Sequence, residues 1–153
     1  MMEVRTNPGM TASVELPDGT EVVLNSSSLL RYPSQFAEDK REVKLVGEAF
    51  FSVAKGEKKF IVGTLNKSKI VVHGTKFNIE AYKESKKVQT TLVSGKVSFS
   101  YVNNGRRNDV MMQPGQKVVY DIVQEKVVVE KANVDVETSW KDGRLIFRNT
   151  PFE

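Results

Sequence analysis

Val14-Glu15-Leu16-Pro17-Asp18-Gly19-Thr20-Glu21-Val22-Val23-Leu24 is the stretch whose reading decides the fold class. Val14 and Leu16 occur at a spacing of two before Asp18-Gly19, and Val22 and Leu24 do so after it. Successive side chains of a strand point to opposite faces, so each arm reads as a half-buried strand. Asp-Gly between two such arms signals a hairpin, because a two-residue type I′ turn needs positive φ at both central positions. Asn104-Gly105 marks a second hairpin of the same kind.

The same alternation continues along the chain. It is found in Val43-x-Leu45, Phe60-x-Val62, Ile70-x-Val72, Phe77-x-Ile79-x-Ala81 and Val88-x-Thr90-x-Leu92. It returns in Val97-x-Phe99-x-Tyr101, Val118-x-Tyr120-x-Ile122, Val127-x-Val129 and Val134-x-Val136. Turn chemistry such as Lys55-Gly56 and Pro114-Gly115 bounds the runs. Valine, isoleucine and threonine supply 37 of 153 residues, against 14 for alanine plus leucine. β-branched side chains fit a pleated surface and lose rotamer freedom in a helix. The expected fold is all-β: about 11–13 short, mostly antiparallel strands in a two-layer sandwich or a β-roll, with little helix. One turn of helix is expected over residues 34–40, after Pro33. An internal echo links Leu45-Val46-Gly47-Glu48-Ala49-Phe50-Phe51-Ser52 with Leu92-Val93-Ser94-Gly95-Lys96-Val97-Ser98-Phe99-Ser100. It marks a tight bend between strands, or it is a coincidence in a valine-rich chain.

Composition bounds the function. Hydrophobic residues make 39% and charged residues 27%, which is ordinary globular usage. No apolar run approaches the roughly 20 residues of a membrane-spanning helix. The opening Met1-Met2-Glu3-Val4-Arg5-Thr6 lacks the apolar region of a signal peptide. Cysteine is absent, which excludes disulfides, thiol nucleophiles and thiolate metal sites. A single histidine, His73, excludes any site that needs two from one chain. The net charge of +4 is spread among acidic residues, as in Lys83-Glu84-Ser85-Lys86-Lys87, and reads as solvated turns rather than a nucleic-acid face.

Three segments are expected: a flexible start over residues 1–11, a β domain over 12–137, and a linker from 138 that opens a further α/β domain. Thr150-Pro151-Phe152-Glu153 has the form of a helix start, with Thr150 as N-cap and Pro151 at the first helical position. Trp140, with Leu145, Phe147 and Phe152, is the expected contact between the β domain and that following domain or a partner.

Few residues suit catalysis. His73 falls on the opposite phase to Ile70 and Val72 and so on the wetter face, and no Gly-x-Ser-x-Gly elbow accompanies it. Glu48 stands in an apolar segment but has no second carboxylate at glycosidase spacing, so it is expected to accept backbone amides at the Gly47 bend. Asp18 and Asn25 are expected turn formers, and Gly19, Gly74, Gly95 and Gly115 are expected turn or bend positions. No phosphate-binding loop is present. Tyr32, Tyr82, Tyr101 and Tyr120 are candidates for a sugar platform, but there is one tryptophan. Neither cofactor nor metal is expected, and no catalytic residue is assigned.

Motifs in a fixed order resemble the FecR family of sigma-factor regulators. They are Leu16-Pro17-Asp18-Gly19-Thr20, Leu30-Arg31-Tyr32-Pro33, Arg41 through Val53 with its Gly47-Glu48-Ala49-Phe50-Phe51, Phe60-Ile61-Val62, and Gly74-Thr75-Lys76-Phe77-Asn78. Thr91-Leu92-Val93-Ser94-Gly95-Lys96-Val97, Gln113-Pro114-Gly115-Gln116 and Trp140-Lys141-Asp142-Gly143-Arg144-Leu145-Ile146-Phe147 complete the set. His73 departs from the family, which more often has leucine before Gly-Thr. The resemblance implies the periplasmic domain of a single-pass inner-membrane anti-sigma factor of the Bacteroidetes type. It implies two partners: an extracytoplasmic-function sigma factor, met through a cytoplasmic region, and an outer-membrane TonB-dependent transducer of iron chelate or glycan, met through a small C-terminal α/β domain. It implies membrane contact only through a helix outside this stretch and no enzymatic activity. The alternative is a secreted carbohydrate-binding β-sandwich, against which the shortage of tryptophan counts.

Overall fold

The structure, a computed structural model, describes residues 1–141. Their elements run β1 (Met2–Arg5), β2 (Ala12–Glu15), β3 (Glu21–Leu24), β4 (Leu29–Tyr32), β5 (Lys40–Ser52), β6 (Lys59–Gly63) and β7 (Lys69–Val72). They continue with β8 (Lys76–Ala81), β9 (Lys87–Ser94), β10 (Val97–Asn103), β11 (Arg106–Met112), β12 (Gln116–Asp121), β13 (Lys126–Lys131) and α1 (Val134–Thr138). The all-β expectation holds.

One long strand organises the molecule. The 13 residues of β5 take part in both layers of the fold. Lys40 to Lys44 pair with β6, a parallel pairing, and Lys44 to Val46 pair with β4. Beyond Gly47 the strand changes partners, to β8 on one side and β3 on the other. The first layer is β1-β4-β5-β6-β7-β10-β11 and the second is β2-β3-β5-β8-β9-β12-β13. Hydrogen bonding is continuous through β5, so a single sheet curls onto itself.

The core lies between the layers. Leu24, Ala49, Ile79, Thr90 and Val118 form one buried row across the second layer. Phe60, Val72, Val97 and Met112 form a facing row of the first. Aromatic contacts join the two. Phe51 packs edge-on against Phe60 at 6.1 Å and stacks on Phe77 at 5.1 Å, while Phe99 meets Tyr120 at 6.1 Å. The Tyr120 hydroxyl donates to Val102 O across the layers at 2.8 Å, satisfying a phenol whose ring is buried.

The first hairpin forms with a different turn from the one expected. Leu16 N–H donates to Thr20 O and Gly19 N–H donates to Leu16 O, so Pro17, Asp18 and Gly19 make a three-residue loop. Gly19 has φ +89, whereas Asp18 is absent from the positive-φ residues. Pro17 presets the φ that the first central position of a type I turn requires, and Gly19 supplies the left-handed residue after it. The two-residue turn occurs instead at Asn104-Gly105, with φ +52 and +74 between the paired Asn103 and Arg106.

The internal echo has a physical basis. Gly47 sits where β5 passes from the first layer to the second, and Gly95 sits where the chain returns from β9 to β10. Gly74 marks the passage from β7 to β8, and Gly115 precedes β12.

Three local expectations are corrected. Residues 2–5, placed in a flexible start, form β1 and pair antiparallel with β4, and Thr6 beyond them is buried. Residues 34–39 contain bends but no helical turn before β5 begins. Val134-x-Val136 is helical rather than extended. Asn133 caps α1, its side chain accepting from Val136 N–H, and Asp135 and Glu137 complement the positive end of the helix.

Candidate functional site

The outer face of the second layer is where solvent-side positions become buried. Val23, Phe50, Asn78, Thr91 and Lys117 form one row across that face. An uncovered outer face would leave them wet. Phe50 is instead only 6% exposed, Asn78 4% and Thr91 2%. The cover is α1 and the residues that follow it. Lys117 Nζ binds Glu137 Oε2 at 2.9 Å, tying α1 to β12. Lys141 Nζ lies 4.8 Å from the centroid of the Phe50 ring. Trp140 Nε1–H donates to Asn78 Oδ1 at 3.0 Å.

Asn78 is the hinge of a longer network. Its Nδ2 donates to Glu48 Oε2 at 2.9 Å, and Asn25 Nδ2 donates to Glu48 Oε1 at 2.9 Å. Asn25 Oδ1 accepts from Ser26 N–H, and Glu48 N–H donates to Ser28 Oγ. The chain of contacts Asn25–Glu48–Asn78–Trp140 therefore fixes the tryptophan to the sheet through one buried amide. A buried amide with both ends occupied is rigid, and removing one partner leaves a costly orphan.

Glu48 is thus held by two side-chain amides, not by the backbone amides expected from its place after Gly47. Glu80 lies directly opposite it in the β5–β8 register. Burial pushes the Glu80 carboxyl above its ordinary 4.5, the neighbouring Glu48 and Glu137 charges add to that, and Lys117 opposes it. Both Glu48 oxygens accept from side-chain amides, which fix the carboxylate in place. Among the described residues no group of three or more His, Cys, Asp or Glu is placed to hold a metal. His73 is exposed, as expected.

Two predictions arise from this face. Trp140→Phe keeps an aromatic ring but removes the indole N–H and leaves Asn78 Oδ1 buried without its donor, so it should cost about 1–3 kcal/mol in urea unfolding. Hydrogen exchange of α1 should accelerate with it; unchanged stability and exchange would mean that the helix is held without the tryptophan. The second concerns pH. With its folded pKa raised above 4.5, Glu80 binds its proton more tightly in the folded chain. Its stabilising contribution is complete below pH 4.5 and is lost as pH rises through the folded value. Glu80→Gln should therefore be more stable than the parent at neutral pH, with the difference closing at more acidic pH. Parallel stability–pH curves for the two proteins would refute this.

A second polar cluster lies at the opposite end of β5. Arg41 occupies the inner row that also holds Phe60, and its side chain is 5% exposed. Its Nη1 binds Asp18 Oδ2 at 2.8 Å and donates to Ala54 O at 2.7 Å, and its Nη2 and Nε donate to Lys58 O. The Phe60 ring lies beneath the guanidinium at 5.5 Å. Asp18 also accepts from Thr20 N–H and Thr20 Oγ1. Asp18 is thus a turn former, as expected, and in addition the anion of a buried ion pair.

Of the contact residues expected from the sequence, Trp140 is docked and half-buried, while Leu145, Phe147 and Phe152 lie outside the described residues. Sequence reasoning missed Asn78 and Arg41 as organising residues. Arg41 carried a signal, standing in phase with Val43 and Leu45 on the face that the fold buries. Asn78 carried none from alternation, because it stands on the opposite phase to Phe77 and Ile79 and is buried only by what covers the outer face.

Comparison with known proteins adds the following. A family model described as FecR protein matches residues 2–98. Two crystal structures of a "putative anti-sigma factor" from Parabacteroides distasonis ATCC 8503 superpose with TM-scores of 0.85 and 0.84 at 31% identity. They cover 94% and 93% of this chain, which spans 66% and 65% of theirs. None of the curated proteins compared with the chain matches it. Among the described residues no helix is long and apolar enough to cross a membrane.

Proposed function

We infer, from the premise that this chain belongs to the FecR family, that it is the periplasmic signal-transducing domain of an inner-membrane anti-sigma factor. In this reading it relays the state of an outer-membrane TonB-dependent transducer to an extracytoplasmic-function sigma factor. The observation that carries the reading is the 31% identity to the Parabacteroides structures, sustained over 94% of the chain. The geometry accords with a relay. The outer face of the second layer is built to hold a following segment, with Trp140 pinned to Asn78 at its exit. In this reading Leu145, Phe147 and Phe152 belong with Trp140 to the contact with a domain that meets the transducer. A membrane helix and a cytoplasmic region outside this stretch supply the anchor and the sigma-factor contact.

The test is a sigma-dependent reporter in cells carrying the full-length protein. Co-expressing the isolated periplasmic signalling domain of the transducer should switch the reporter when the full-length protein is intact. An in-frame deletion of residues 12–137 should abolish that response. A reporter that responds equally in both strains would overturn the proposal. Glycan binding by the chain together with a reporter indifferent to the deletion would favour a carbohydrate-binding module.

A further inference from the structure

We propose that β13 is a self-recognition edge, through which two copies of this chain pair antiparallel and extend the second layer into one sheet across a two-fold axis. Among the described residues β13 ends the strand order and pairs only with β12. Its centre is three consecutive valines, Val127-Val128-Val129, of which Val128 is 57% and Val129 42% exposed. Edge strands are normally protected by an inward charge, a bulge or a proline, and β13 has a regular register with none of these at its centre.

Its sequence identifies the occupant. Lys126-Val127-Val128-Val129-Glu130, laid antiparallel on a second copy about Val128, sets Lys126 opposite Glu130 of the second copy and Glu130 opposite Lys126. Val127 then faces Val129, and Val128 faces its own equivalent. Opposite charges directly across an antiparallel pair are favourable and like charges unfavourable. The lysine that would repel a random edge therefore selects this one register. A two-fold contact requires such self-complementarity, because the same surface must serve both partners.

The backbone permits that register. Ile122 N–H donates to Lys86 O, so even-numbered residues of β12 bond toward β9 and odd-numbered ones toward β13. Lys117, Val119 and Asp121 pair with Glu130, Val128 and Lys126. The N–H and C=O groups of Val127 and Val129 consequently point out of the sheet edge. Pairing about Val128 makes Val127 and Val129 the hydrogen-bonded pair and Val128 the non-hydrogen-bonded one. A register shifted by one residue would pair odd with even positions and forfeit the bonds. Val127 and Val129 share the face of Tyr120 and Val118, so pairing also covers apolar surface at the open end of the core.

Sedimentation velocity from micromolar to millimolar concentration, combined with thiol crosslinking, tests the proposal. The chain contains no cysteine, so Val128→Cys introduces a single thiol. Opposed residues of a non-hydrogen-bonded pair have Cα atoms about 4.5 Å apart, within disulfide reach. Val128→Cys should form covalent dimers at least about tenfold faster than Val123→Cys, whose residue is the more exposed of the two but lies outside the strand. Lys126→Glu should weaken the dimer about tenfold, since two attractive pairs become repulsive. Lys126→Glu with Glu130→Lys should restore it, which a merely structural role for either residue would not produce. A chain that remains monomeric at millimolar concentration overturns the proposal. So does a dimer indifferent to Lys126→Glu, or equal crosslinking at the two positions.

Discussion

Gly47→Ala is expected to destabilise the protein by roughly 3–5 kcal/mol, the sum of backbone strain and overpacking. Gly47 has φ +117, a conformation that side chains rarely adopt. A Cβ there would also strike the Ser28 side chain and approach Ser28 Cα to 2.8 Å. The obstacle is backbone, and it cannot swing aside. The position matters because β5 changes layers at Gly47, so a displaced residue disturbs the pairings with β4 and β8 together. Gly19→Ala separates the two causes. Gly19 has φ +89 with nothing within 4 Å of a built Cβ, so only the strain of about 1–2 kcal/mol remains. Urea midpoints for the two variants should differ clearly. Equal losses would show that the close approach to Ser28 relaxes at no cost.

Arg41→Ala is expected to cost about 3–5 kcal/mol, the usual result of removing one member of a buried ion pair. The loss has several parts. Asp18, whose side chain is 14% exposed, keeps its charge without a counter-ion, and the carbonyls of Ala54 and Lys58 lose their donors. Three segments come apart at once: the first hairpin turn, the start of β5, and the loop before β6. Arg41→Lys should rescue little. One ammonium cannot span Asp18, Ala54 and Lys58 as the planar guanidinium does, nor stack as well on Phe60. The loss should also persist in molar salt, since a desolvated pair is weakly screened. A loss below about 1 kcal/mol, or one that vanishes in salt, would place the pair in the class of exposed surface bridges.

Much of the scaffold is legible in the sequence. Alternation located ten of the observed strands, and turn residues located their ends, because a strand's side-chain period and a turn's φ requirement are local properties. The misreadings were local as well. At Leu16-Pro17-Asp18-Gly19 the proline before Asp-Gly favours a three-residue loop over the two-residue turn that Asp-Gly alone signals. At Val134-x-Val136 two valines outweighed the cap at Asn133. β1 was passed over because four residues with a single buried-side valine give alternation nothing to repeat.

The candidate site was legible only in part. Trp140 stood out as a single tryptophan after a change of pattern, but its anchor was hidden. Asn78 lies 62 residues before Trp140 and 30 after Glu48, and Asp18 lies 23 before Arg41. By itself the sequence determined the strands, most of the turns, the absence of thiol chemistry and the resemblance to a regulatory family. Only the tertiary structure decided that β5 serves two layers, that β5 and β6 run parallel, and which polar side chains meet in the interior. Period and turn chemistry act within a few residues and were readable one segment at a time. Partnership between segments depends on how the whole sheet curls, and no single segment carries that information.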